Sequence, residues 1–187
     1  MMWRIVAVLL FALESVTAHA AEVAGARLDD RVTLGGKELV LNGAGVRTRA
    51  IFKVYVAGLY LPERASDTAA ALAAPVRRVQ LDLLRTLSAE QLVDALNDGL
   101  KENNTEAELA AVRAQVDALA AVMKGFREVH EKDVVTLDFV DGVTRIGLNG
   151  AVKGTIAGEA FNRALLRVWL GERPVQADLK KAMLGGR

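Results

Sequence analysis

Apolar and polar positions along the chain recur with two periods, and the change between them divides it into strands at both ends and helices in the middle. Across residues 31–41 two short alternating stretches flank Gly35-Gly36, a pair that takes positive φ cheaply, so a tight hairpin is predicted there. Asn42-Gly43 marks a further bend or bulge. Residues 50–61 are rich in β-branched and aromatic side chains, apolar on both faces and stopped by Pro62, which predicts a central strand. An alanine-rich helix follows over 66–74. Beyond Pro75, residues 76–84 set Val79, Leu81 and Leu83 on one face of another strand.

The period then lengthens. Ser88 with Gln91 three residues later is a capping-box pattern, and Leu92, Leu96 and Leu100 recur at helical spacing, with Asp94 and Asp98 on the solvent side, so a helix is predicted over 88–102. Asn103-Asn104 breaks it. Thr105 with Glu108 repeats the cap, and Leu109, Val112, Val116, Leu119 and Met123 supply a second amphipathic stripe, which together predict a helical hairpin. Alternation returns over 134–140 and 143–148 around Asp141-Gly142, the best short hairpin signal in the chain. After a turn at Asn149-Gly150, residues 158–170 read as a helix turning Phe161, Leu165 and Val168 or Trp169 inward. Gly171 is a C-cap and Pro174 a stop, and residues 176–184 make a last short helix. The class is α+β.

The first residues follow a different logic. Arg4 gives a positive start, nine apolar residues run over 5–13, and Ala18-His19-Ala20 offers small residues for cleavage. Residues 1–20 are therefore expected to be a signal peptide cut after Ala20, leaving residues 21–187 as one domain in the periplasm. Glu14 ends the apolar run well short of the about 20 residues a spanning helix needs, so no membrane span is expected after cleavage.

Composition removes several classes of function. The chain has no cysteine, which excludes disulfides and thiol catalysis. With 24 basic and 23 acidic residues and no long block of one sign, a nucleic-acid partner is not expected. His130 is the single histidine after the leader, so no metal site or mechanism needing two imidazoles is available, and it reads as a surface loop residue. The glycines over 142–158 match neither a phosphate-binding loop nor a dinucleotide fingerprint. No cofactor is implied.

One segment resists such a reading. Between Arg47 and Tyr60, Arg47, Arg49, Lys53, Tyr55 and Tyr60 are interleaved with Ile51, Phe52, Val54 and Leu59, and cations and phenols on a central strand are costly to bury without a partner. Here the sequence resembles the chalcone-isomerase family. The run Gly43-Ala44-Gly45-Val46-Arg47 followed by Phe52-Lys53-Val54-Tyr55-Val56-Ala57-Gly58-Leu59-Tyr60-Leu61 is similar to the family's signature strand pair. Leu148-Asn149-Gly150, Phe161-Asn162-Arg163-Ala164-Leu165 and Trp169-Leu170-Gly171 with Pro174 resemble its exported bacterial branch.

The resemblance implies an open-faced β-sandwich, a large antiparallel sheet packed against a layer of helices with a ligand cleft between them. It also implies a division between plant enzymes that cyclise chalcones and non-catalytic relatives that bind fatty acids. The cleft arginine of both branches matches Arg47. The enzymes' strand threonine falls at Tyr55, the residue type that the binders pair with that arginine, and the enzymes' catalytic tyrosine falls at Leu92 beside Gln91, which leaves no catalytic residue to assign.

The chemistry of the two residues points the same way. A guanidinium matches a carboxylate with parallel N–H donors and a phenol adds a third hydrogen bond, so a small amphipathic acid is the expected ligand of Arg47 and Tyr55. Eight residues of straight strand are about 26 Å, too far for both to reach one ligand, so the chain is expected to reverse near residues 48–50. Three functions stay open: an exported, non-catalytic binder of a fatty acid or similar acid, an isomerase acting on a small phenolic or enone substrate, and a structural or partner-binding envelope protein. The alternative for Arg47 itself is that it pairs with an internal carboxylate such as Asp138 and ties the sheet together.

Overall fold

A computed structural model describes residues 20–186, so the expected signal peptide lies, but for Ala20, outside the described residues. Eleven strands and six helices follow in chain order: β1 (Ala20–Val23), β2 (Ala26–Asp29), β3 (Arg31–Leu34), β4 (Lys37–Arg49), β5 (Phe52–Leu61), α1 (Thr68–Ala73), β6 (Arg77–Leu83), β7 (Leu87–Ser88), α2 (Ala89–Asn103), α3 (Glu106–Ala111), α4 (Arg113–Lys124), β8 (Glu128–Val129), β9 (Val134–Val140), β10 (Val143–Leu148), β11 (Ala151–Ala157), α5 (Glu159–Leu170) and α6 (Ala177–Met183). Seven strands form one antiparallel sheet in the order β11-β10-β9-β6-β5-β4-β3.

The alternation of each strand sends one set of side chains under the helices. On that face Leu59, Leu81, Leu137 and Ile146 meet Leu96, Leu100, Leu165 and Trp169 in the main core. The other face carries a smaller core of Leu28, Leu39, Leu41, Val56 and Tyr60, partly covered by the β1–β2 hairpin. No helix of the described residues is long and apolar enough to cross a membrane.

Both capping boxes form as their spacing requires: Ser88 accepts from the Gln91 amide while Gln91 Oε1 accepts from the Ser88 amide, and Thr105 and Glu108 reciprocate likewise. Three expectations are corrected. The second amphipathic stripe is two helices, broken at Val112, whose φ of −116° and ψ of 16° are not helical. The predicted strand over 50–61 begins at Phe52, because Ala50-Ile51 make the turn from β4. After Asn149-Gly150 the chain continues as the edge strand β11, which shows little apolar alternation because only Ile156 of its seven residues is buried.

Asn42-Gly43 is a bulge, and it ties three elements together. The β4–β5 register slips between Leu41 and Gly43, and the buried Asn42 side chain donates to Ala65 O (2.9 Å) and Met183 O (2.7 Å) and accepts from Ala65 N (2.7 Å). Gly43 is required by close approach, since a Cβ there would stand 2.0 Å from Ala182 O on α6.

Candidate functional site

Arg47 and Tyr55 face each other across the β4–β5 hairpin as a directly paired rung, with the chain reversing between them at Ala50-Ile51. Tyr55 pairs on its other side with Leu83 of β6, which sets its ring on the helix-covered face. Above it Trp169 of α5 donates its indole N–H to the Tyr55 hydroxyl at 3.1 Å. The phenol itself donates to none of the described residues. Burial pushes its pKa above the ordinary tyrosine value, against the Trp169 hydrogen bond and the charge and hydrogen bonding of the nearby Arg47, so the hydroxyl keeps its proton at neutral pH.

Arg47 is partly buried and held from one end only. Its Nη1 donates to Thr48 O at 2.7 Å and to Gln176 Oε1 at 3.3 Å, and its Nε and Nη2 donate to no carbonyl or carboxylate among the described residues. Gln176, just before α6, clamps the hairpin where the register slips a second time, between Arg47 and Thr48. Its Oε1 also accepts from the Thr48 amide at 2.8 Å, and its Nε2 donates to Val46 O at 3.3 Å. Asp138 is not Arg47's partner: it accepts a bidentate pair from Arg78, Nε to Oδ1 at 2.5 Å and Nη2 to Oδ2 at 2.7 Å.

Both residues line a cavity of about 760 Å³ between the sheet and helices α2 and α5. Its inner wall is apolar, with Leu81, Leu92, Leu96, Leu137 and Val168, and its rim is charged, with Arg49, Arg85 and Arg173 set across from Asp94, Asp98 and Glu102. That volume is within the range of small-molecule sites, and an apolar interior with few convergent polar groups is what an amphipathic ligand needs. Asp94 and Asp98 are exposed as expected, yet they also form part of the cleft wall. His130 is exposed, 3.4 Å from Glu128 Oε2 and 3.7 Å from Asp133 Oδ2, and is not among the cleft residues.

The sequence reading of the site omitted Trp169 as the partner of Tyr55 and Gln176 as the clamp on Arg47. Trp169 was legible as an inward helix residue, but not the strand it would meet. Gln176 carried no signal, because an exposed-looking glutamine before a short helix is ordinary.

The comparisons with known proteins agree on the architecture. No curated protein sequence matches the chain. Among solved structures it is similar to a fatty-acid binding protein of Arabidopsis thaliana, AtFAP1, with a TM-score of 0.69 and 12% identity over 89% of this chain and 96% of that one. At that identity the likeness establishes the fold alone, the helix-covered antiparallel sheet with its cleft. The family model described as chalcone isomerase-like matches residues 20–185, nearly all of the described structure, and the chain belongs to the chalcone isomerase-like family.

Proposed function

We propose that this protein is a non-catalytic binder of a fatty acid or similar small amphipathic carboxylic acid, held in the cleft with Arg47 as carboxylate anchor and Tyr55 as second donor. The observation that carries the reading is the pairing of the two residues on one rung at an apolar cavity of about 760 Å³. The open Nε–Nη2 edge of Arg47 offers two parallel donors, the Tyr55 hydroxyl offers its proton, and the leucines and Val168 take the chain. The fatty-acid binding protein of similar fold supports the same ligand class. A non-catalytic role is supported by Leu92, which lines the cleft with a side chain that can neither donate a proton nor orient water, and by Gln91, whose side chain is committed to the α2 cap. The purified protein is expected not to accelerate chalcone ring closure over the spontaneous reaction.

Export completes the proposal, with the leader cut after Ala20 and the protein released to the periplasm. Cleavage there removes one rung of the β1–β2 hairpin, Ala20 with Asp29, and leaves three. Intact mass of the exported form should place its N-terminus at Ala21, and a retained Met1 would refute export with cleavage. Mass spectrometry of molecules extracted from natively purified protein tests the ligand: long-chain carboxylic acids are expected, and neutral lipids or phenolic compounds alone would refute the reading.

A further inference from the structure

The hairpin that carries Arg47 and Tyr55 ends in a tip unlike the rest of the surface. Ile51 is 86% exposed and Phe52 54%, two of the three large apolar side chains so exposed among the described residues. The seven residues from Arg47 to Lys53 hold three cations, Arg47, Arg49 and Lys53, with the partly buried Arg47 innermost, and Arg85 adds a fourth by lying over the Phe52 ring at 4.9 Å.

 

None of the four forms an ion pair among the described residues, and no carboxylate lies between Arg47 and Lys53. Arg49, Ala50 and Phe52 belong at the same time to the lining of the cleft, so the apolar tip is its rim.

We infer that this tip docks on the surface of an anionic phospholipid bilayer, from which the cleft takes up or returns its ligand; the inference rests on the fatty-acid reading above. An apolar residue at the end of a projecting turn, ringed by unpaired cations, matches an interface where acyl chains lie beneath negatively charged headgroups. Charge complementarity selects the bilayer, and it also sets the approach. Asp94, Asp98 and Glu102 face the cleft from α2, with Glu102 already paired to Arg173 at 3.3 Å, so an anionic surface repels the helix side of the mouth and attracts the hairpin side. Arg47 lies three residues behind Ala50, about 10 Å along the strand. A tip sunk about 5–10 Å into the headgroup boundary therefore brings Arg47 to the level where a fatty-acid carboxylate sits. The acid moves from bilayer to cleft without carrying its chain through water.

Co-sedimentation of the purified protein with vesicles tests this, using equimolar phosphatidylglycerol and phosphatidylcholine against phosphatidylcholine alone. Binding is expected to the anionic vesicles only, and to weaken with salt. The double variant Ile51→Ser with Lys53→Glu, whose positions are not among the cleft residues, should bind those vesicles at least roughly tenfold more weakly, since each cation near such a surface is worth about fivefold. Its affinity for oleate titrated in water should match that of the wild type. Absence of wild-type binding to anionic vesicles, as expected if the tip serves a protein partner, overturns the inference, and so does a variant that sediments as well as the wild type. Failure to take up oleate in water would instead overturn the fatty-acid reading, whichever way the vesicles decide the docking.

Discussion

At Tyr55 the hydroxyl oxygen already accepts from Trp169, and its proton is what remains for a ligand. Tyr55→Phe should therefore weaken fatty-acid binding by about two- to tenfold, the worth of one neutral hydrogen bond, as read by titration calorimetry. On the opposite face of the sheet Asp82 is buried with Gln80 as its hydrogen-bonding neighbour at 3.0 Å, and burial raises its pKa above the ordinary aspartate value despite that bond. The unfolded chain then ionises first as pH rises, so Asp82 costs stability progressively from about pH 4 up through its folded pKa. Asp82→Asn should raise the melting temperature at pH 7, with the gain shrinking as the pH is lowered toward 4. Residues such as these were half legible. The mixture of phenols and cations on one strand announced that partners were needed, but Trp169 and Gln176 lie more than a hundred positions away and were chosen by packing.

Elements were legible where local chemistry dictates them. Gly35-Gly36 and Asp141-Gly142 supply positive φ at two hairpin turns, and Ser88 and Thr105 close their caps within four residues, so no distant contact was needed to place them. The misses are elements set by tertiary contact. β11 packs Gly154 against Val122 of α4 so closely that a Cβ would stand 2.5 Å from Val122 Cγ2, and its alternation is weak because it is an exposed edge. The break at Val112 has no glycine or proline to signal it. Gly171 does end α5, though in extended conformation (φ −68°, ψ −174°), and it is demanded by Asn103 Oδ1, which a Cβ would approach to 2.1 Å. The bulge at Asn42 is the strongest element-scale test. Asn42→Ala removes three hydrogen bonds of a buried side chain, one fully and two partly buried, between β4, the segment after β5 and the end of α6, and denaturant unfolding should show a loss of about 2–4 kcal/mol.

Across the whole molecule the sheet separates two tasks. One face closes under the β1–β2 hairpin into a small core, while the other holds the cleft open between sheet and helices, and the β4–β5 hairpin carries the paired Arg47 and Tyr55 to its mouth. The architecture was legible because glycine–tyrosine strand signals resembled a known family, and the match over residues 20–185 bears that out. What ligand the cleft holds was not legible in the same way, since it depends on whether a guanidinium is left with donors to spare. Titration calorimetry with a fatty acid on the wild type and Arg47→Ala, with ligand-free melting of both, measures that directly. The account predicts affinity lower by about ten- to a hundredfold, the worth of a charge-assisted bidentate contact of about 1.5–3 kcal/mol, with little change in melting temperature. Unchanged affinity with a large fall in melting temperature would make Arg47 a structural residue and contradict it.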